Sequence, residues 1–259
     1  MLRKTLLGMI ASVWIATTAS SQEVPVQLEV SGAFLTQYIW NGFDRVEARG
    51  LESGPVVQPQ VTVGMRNSPL RAHVAGSFVV NEQSELHETI YGVSVVRDAT
   101  PLTRLGLGYN YYDDRVALGP DEQSADAHEV WGSLEARSPV GSRIVLAAKW
   151  EKPTREGLDP FTLFLGELGY EVPLLPVVGP GGFGLDLDVS TNVIYTTGMK
   201  QNDVEVLSSG FTVWQMGAAA SLKSGRVAVI PSFNYQVTLK DAVNDKNPVW
   251  GGVTVSYAF

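Results

Sequence analysis

Residues 251–259 read GGVTVSYAF, and the period of this stretch decides the fold. Val253, Val255, Tyr257 and Phe259 share one face of an extended strand, while Thr254, Ser256 and Ala258 share the other. A strand patterned this way at the end of a chain needs a partner for its backbone and a surface for its apolar side. The same period of two recurs upstream, beginning with Val26, Leu28, Val30, Phe34, Tyr38 and Trp40 set against Gln27, Glu29, Ser31, Ala33 and Gln37. Ten further segments follow, among them Val57/Val61/Val63/Met65, Leu105/Leu107/Tyr109/Tyr111 and Ile144/Leu146/Ala148/Trp150. No stretch after residue 22 has the period of an amphipathic helix. The pattern therefore predicts about twelve strands.

The connections alternate as regularly as the strands. Those after odd segments are long and charged, such as NGFDRVEARGLESGP, DDRVALGPDEQSAD and EKPTREGLDP; those after even segments are short, such as RNSP, RDATP, SPVGS and KSG. VPLLPVVGPGG, spanning 172–182, breaks the rule by being long and apolar where a tight turn is expected. Short turns at one end and long loops at the other, on an even strand count, fit an antiparallel up-and-down transmembrane β-barrel. A soluble β-sandwich also alternates. Aromatic residues near strand ends and charges deep within the opposite face favour the barrel, whose closure pairs every backbone group in lipid. The last strand should then pair with the first. Tyr38, Trp40, Tyr109, Tyr111, Trp150, Tyr195, Trp214, Tyr235 and Tyr257 are expected to form interfacial girdles. Pro59 and Pro231, within strands, imply a bulge or a frayed register.

The beginning of the chain supports export. MLRKTLLGMIASVWIATTASSQ has Arg3 and Lys4, an apolar run from about Leu6 to Ala16, and small residues after it. This is the order of a secretory signal peptide, cleaved after Ser20 or Ser21, leaving 22–259 as a single outer-membrane barrel domain. A net charge of −8 becomes about −10 when Arg3 and Lys4 are removed. An acidic chain without a Lys/Arg run argues against nucleic acid as a partner. Without cysteine there is no disulfide framework, so hydrogen bonding and burial must hold the fold.

Placing the apolar face outward turns Glu29, Arg71, His73, Arg104, Glu129, Arg143, Lys149, Glu167, Asp186 and Asp188 toward the lumen. These are the candidate lumen-lining residues. They suit either a water-filled channel with a weak cation preference or an ion-pair network filling a narrow barrel. The loops could also fold inward, DDRVALGPDEQSAD being long enough. The expected function is passive diffusion of ions or small polar solutes, by a monomer with no catalysis and no cofactor. Partners are expected to be outer-membrane lipid, the barrel-assembly machinery and the solutes themselves. One rival is a closed structural or adhesive barrel working through its loops. A second is a lipid-modifying enzyme, but His87 and Thr89 make a poor nucleophile–base pair and no His-x-Ser occurs. Three histidines without ligand spacing give no metal site. GPGGFG at 179–184 precedes a strand rather than a helix, so it is no phosphate loop.

The stretch FLTQYIWNGFDRVEARGLESGPVVQPQVTVGM resembles the N-terminal signature of the TorF-type porins, a family of small exported barrels. Their Tyr-x-aromatic-Arg-Gly pattern is matched by Tyr38, Trp40 and Gly42, with Asn41 in place of the usual Arg; Pro55, Gln58 and Pro59 match the start of the second strand. The resemblance implies a signal peptide, an outer-membrane barrel and passive transport. It also resembles such barrels at the other end, where Val253, Val255, Tyr257 and Phe259 form the C-terminal signature read by the assembly machinery.

Overall fold

The computed structural model describes residues 26–41, 43–44, 54–65, 68–80, 86–116, 126–177, 182–202, 204–207, 209–240 and 246–259, with the side chains of Trp40, Phe43, Asp44, Leu86, His87, Asp114–Val116, Gln201 and Val204–Leu207 outside that description. The signal-peptide expectation and most of the 113–126 loop fall outside it. Twelve long strands run β1 Val26–Leu35, β2 Val56–Met65, β3 Leu70–Val79, β4 Leu86–Thr100, β5 Thr103–Val116, β6 Ala127–Arg137, β7 Ser142–Pro153, β8 Phe161–Leu175, β9 Phe183–Thr196, β10 Gly210–Ser224, β11 Val227–Thr238 and β12 Val249–Ala258. Each pairs antiparallel with its sequence neighbours, and β12 pairs with β1, closing the barrel. That seam runs from Glu29 opposite Ala258 to Leu35 opposite Gly252, and the Phe259 amide donates to the Leu28 carbonyl at 2.8 Å. The terminal strand is therefore half of the closing seam, as its pattern predicts.

Period-two patterning gives the barrel two different faces. Val63, Tyr91, Val93, Leu107, Leu146, Phe164, Leu168, Trp214, Phe233 and Val255 are all exposed on the outside. The alternate positions carry the polar set and face inward. Of the two outcomes expected at Pro59 and Pro231, a bulge or a locally frayed register, the ladders show local fraying without a bulge. Each leaves a gap in one ladder, β2–β3 and β10–β11 respectively, and pairing resumes in step beyond it. The missing N–H costs a rung, not the alignment.

Three further expectations change. The first segment stops at Leu35, bends at Thr36–Gln37, and leaves Ile39–Trp40 to form a small hairpin with Phe43–Asp44. Tyr38 is consequently buried at the barrel mouth rather than set in an outer girdle. The apolar connection 172–182 begins as strand: Val172–Leu175 extend β8 along Asp186–Leu187 and Leu185 of β9, past the end of β7, with a register shift between Pro173 and Leu175, and 178–181 lie outside the described residues.

Large inward side chains lie flat against neighbouring glycines. The Trp131 indole rests on Gly106 and Gly108 of β5, where a Cβ would overlap it, and the His73 ring rests on Gly92 in the same way. Gly166 on the outer face differs, because a Cβ there would meet only Val193 and Leu146 at 3.8–3.9 Å. Replacing Gly108 by Leu should therefore lower the urea midpoint of the folded barrel, by about 1–3 kcal/mol of stability. Gly166→Ala should leave the midpoint unchanged or raise it. Tryptophan fluorescence during detergent unfolding reads both.

Candidate functional site

The candidate site is the inward face, and it differs between its two ends. The short-turn end carries the ion pairs. Arg143 of β7 bridges β8 and β9, reaching Glu167 Oε1 at 2.8 Å and Asp188 Oδ2 at 2.9 Å. Lys223 meets Asp186 at 2.7 Å, Arg104 meets Asp98 at 2.8 Å, and Arg137 pairs with Glu135. Arg71 donates to the Ser68 carbonyl at 3.2 Å and to Gln27 Oε1 at 3.3 Å, tying the β2–β3 turn to β1. Glu29 lies exposed beside this turn end, opposite Ala258 on one side and Thr62 on the other. Arg104, Asp98, Arg137 and Lys223 are well exposed, so these charges face water.

The loop end is packed. Glu88 and Glu129 are each 1% exposed, and Glu151 is also buried. Glu129 accepts from Asn110 Nδ2 at 2.8 Å and faces Lys149 Nζ at 3.9 Å. Asn110 Oδ1 in turn lies over Gly92 beside His73. Next to this group along the wall, on β8–β10, Phe161, Leu163, Ile194 and Val213 form an apolar cluster, joined by Leu165 and by Met199 from the Met199–Gln201 hairpin strand. Beyond the cluster, Gln215 Nε2 donates to Gln236 Oε1 at 2.7 Å, and Gln236 Nε2 donates to Thr238 at 3.2 Å. The described inward side chains are thus charged and exposed toward the turns, and more deeply buried toward the loops.

All ten sequence-predicted lumen residues occupy inward positions, but they do not make one cluster. Arg143, Glu167 and Asp188 come together; Glu129 and Lys149 form a second group, linked through Asn110 toward His73. Asp186, Arg104 and Arg71 each bind a neighbour, while Glu29 stands apart at the rim. Sequence reading missed Lys223 and Asp98 because both adjoin turns; continuing the parity of Gly217, Ala219 and Ser221 for one more step would have found Lys223. It also missed Tyr38 and Asn41. Tyr38 Oη donates to Glu88 on β4, and Asn41 Oδ1 accepts from Lys149 Nζ at 2.9 Å. No signal in the sequence announces the bend at Thr36 that turns them inward. On the outside, His128 is bound by Tyr109 at 2.7 Å and Asp126 by Tyr111 at 3.0 Å.

No protein-family model matches the chain, and no curated protein matches it. Solved structures do. The KdgM porin, determined in complex with disordered oligogalacturonate, superposes with a TM-score of 0.52 at 8% identity, over 90% of this chain and 99% of that one. An outer membrane channel from Pseudomonas putida F1 gives 0.51 at 6% identity, over 94% and 98%. A bacterial polysaccharide outer membrane secretin gives 0.50 at 9%, over 92% and 100%. The chain has the fold of an outer-membrane β-barrel.

Arg143 is the keystone of the charged half. Arg143→Ala leaves Glu167 and Asp188 facing each other without their cation, and each lost charged hydrogen bond is worth about 1.5–3 kcal/mol. A lower urea midpoint is expected, read by tryptophan fluorescence during unfolding in detergent.

Proposed function

We propose that the protein is an outer-membrane channel for passive diffusion of ions or small polar solutes. The observation that carries this reading is the turn half of the lumen, where Asp98, Arg104, Arg137 and Lys223 stay well exposed at the rim and Arg143, Glu167 and Asp188, further in, keep 21–28% exposure in a closed barrel. Charges that merely fill a core would be desolvated and fully enclosed; these line a hydrated passage. Acids outnumber fixed cations along it, which favours cations. The outward Val, Leu, Phe, Tyr and Trp surface meets lipid. The likeness to a porin and a channel, and the TorF-type pattern of the first hairpin, point the same way. In this reading residues 1–21 are removed on export, and Val253, Val255, Tyr257 and Phe259, all on the outer face at the seam, present the C-terminal signature to the assembly machinery. The lumen offers polar contacts to a passing solute and requires neither cofactor nor chemistry.

One observation favours a second reading. Leu163, Ile194, Val213 and Gln236 are at most 2% exposed, so the loop end is filled. A closed barrel acting through its loops would look like this. Recording the refolded mature chain in a planar bilayer under a salt gradient separates the two. Discrete current steps with weak cation preference are expected; a folded, heat-modifiable barrel that never conducts would mean that the loops are the working surface.

A further inference from the structure

Loop 1 reaches further than a surface loop should. In the closed order β1 and β7 are six strands apart in either direction, so they stand on opposite walls. Asn41 lies six residues beyond the end of β1, yet it accepts a hydrogen bond from Lys149 of β7 at 2.9 Å. Twelve strands about 4.8 Å apart and tilted about 40° enclose a backbone bore of about 24 Å. Six residues span at most about 20 Å when extended, and the bend at Thr36–Gln37 shortens that reach. The segment 36–41 therefore leads from the β1 wall into the mouth, and the long Lys149 side chain reaches in from the opposite wall to meet it.

Its course is fixed at three points. At the start, Thr36 N donates to the Gly251 carbonyl at 2.9 Å, and Gly251 N donates back to Thr36 Oγ1 at 3.1 Å. A quarter of the way round the wall from β1, Tyr38 donates to Glu88 of β4. At the tip, Asn41 sits at φ 48°, the left-handed region that Asn tolerates better than most residues. Lys149 faces both Asn41 and Glu129, so one ammonium serves the wall and the arm. The arm is nevertheless not bound throughout, since Gln37 Oε1 and Asn41 Nδ2 are buried without a hydrogen-bond partner among the described residues.

We propose that segment 36–41 is a constriction arm, and that Lys149 is the catch whose bond to Asn41 sets the size limit of solutes passing the loop end. This rests on the channel reading for its consequence, but not for its geometry. Lys149 and Asn41 are specificity-determining residues in this scheme, and Tyr38 with Glu88 positions the arm between them.

The chain has no cysteine, which makes a direct test clean. Asn41→Cys with Lys149→Cys is refolded and treated with a short bis-methanethiosulfonate. An intramolecular cross-link is expected, with an adjacent-strand pair, Ser133→Cys with Ala147→Cys, as the positive control. Separately, Lys149→Met and Asn41→Gly are recorded in planar bilayers with neutral sugars and polyethylene glycols of increasing size. Asn41→Gly keeps both the left-handed backbone and the Lys149–Glu129 contact, so it covers the case in which Lys149→Met fails to fold. Either variant should raise single-channel conductance about twofold or more and admit larger probes, since conductance follows pore width. Cross-linking should lower conductance, and a reducing agent should restore it. A control cross-link without an Asn41–Lys149 cross-link overturns the arm. Wild-type conductance and size limit in both variants overturn the catch. A cross-link in barrels that never conduct overturns the size limit by removing the channel, while leaving the arm in place.

Discussion

The structure depends on the hydrogen-bonded seam between the first strand and the last. An unpaired edge in lipid would leave a row of N–H and C=O groups without partners, each costing several kcal/mol. The β1–β12 ladder, seven residue pairs long from Glu29–Ala258 to Leu35–Gly252, removes that edge. It works only because both strands keep the same parity. Val30 and Tyr257 are paired and face out together, and Ser31 and Ser256 face in. A slip of one residue would turn every apolar side chain of β12 into the lumen. Hydrogen bonding and patterning therefore select a single register, in a chain with no disulfide to enforce one.

Closure also dictates what the inward face must be. Enclosed space a few side chains wide has to be filled, hydrated or crossed. On the β4–β9 side large inward side chains, both aromatic and charged, lie against glycines of the wall, as with Trp131 over Gly106 and Gly108 and Arg143 over Gly169. Near the turns those charges pair laterally, Arg143 with Glu167 and Asp188, without leaving water. Near the loops Leu163, Ile194 and Val213 replace them with an apolar plug on one side. Beside it, segment 36–41 meets Lys149 of β7, so both features stand at the same end of the barrel.

The barrel was legible because a period of two, repeated twelve times, is a strong signal and every strand obeys it. The inward position of Arg143 or Asp188 followed from parity alone. What each residue binds did not follow, because partners are set by register, and register depends on turn lengths and bulges that single residues do not reveal. The Ile194–Tyr195 shift in the β9–β10 ladder is one such irregularity. Parity also misled once. Continuing the first segment through Tyr38 assumed an unbroken strand, whereas two bend residues reset the direction of everything after Leu35. Loop conformation is decided by tertiary contacts such as Lys149 on the far wall, 108 positions later in the chain. The 172–182 connection failed for the opposite reason. Its apolar composition signalled strand, but its place in the loop alternation argued for a turn.

The arm accounts for a feature that the ion-pair network leaves unexplained. Among the inward charges of the loop half, Lys149 has the buried acid Glu129 within reach on the neighbouring strand β6, at 3.9 Å. A wall built only for stability would pair Lys149 closely with Glu129. Their separation of 3.9 Å is loose, and the close contact goes instead to Asn41, a neutral residue carried in from the far side. An ammonium that gives its best hydrogen bond to an amide, with a carboxylate within reach, is held away from its strongest partner by the loop. The favourable alternative stays close at hand if the loop withdraws, because Lys149 can then turn to Glu129. Release of the arm thus exchanges a neutral acceptor for a carboxylate and leaves no buried cation unpaired. A constriction with that exchange built into its anchor can open without unfolding the wall.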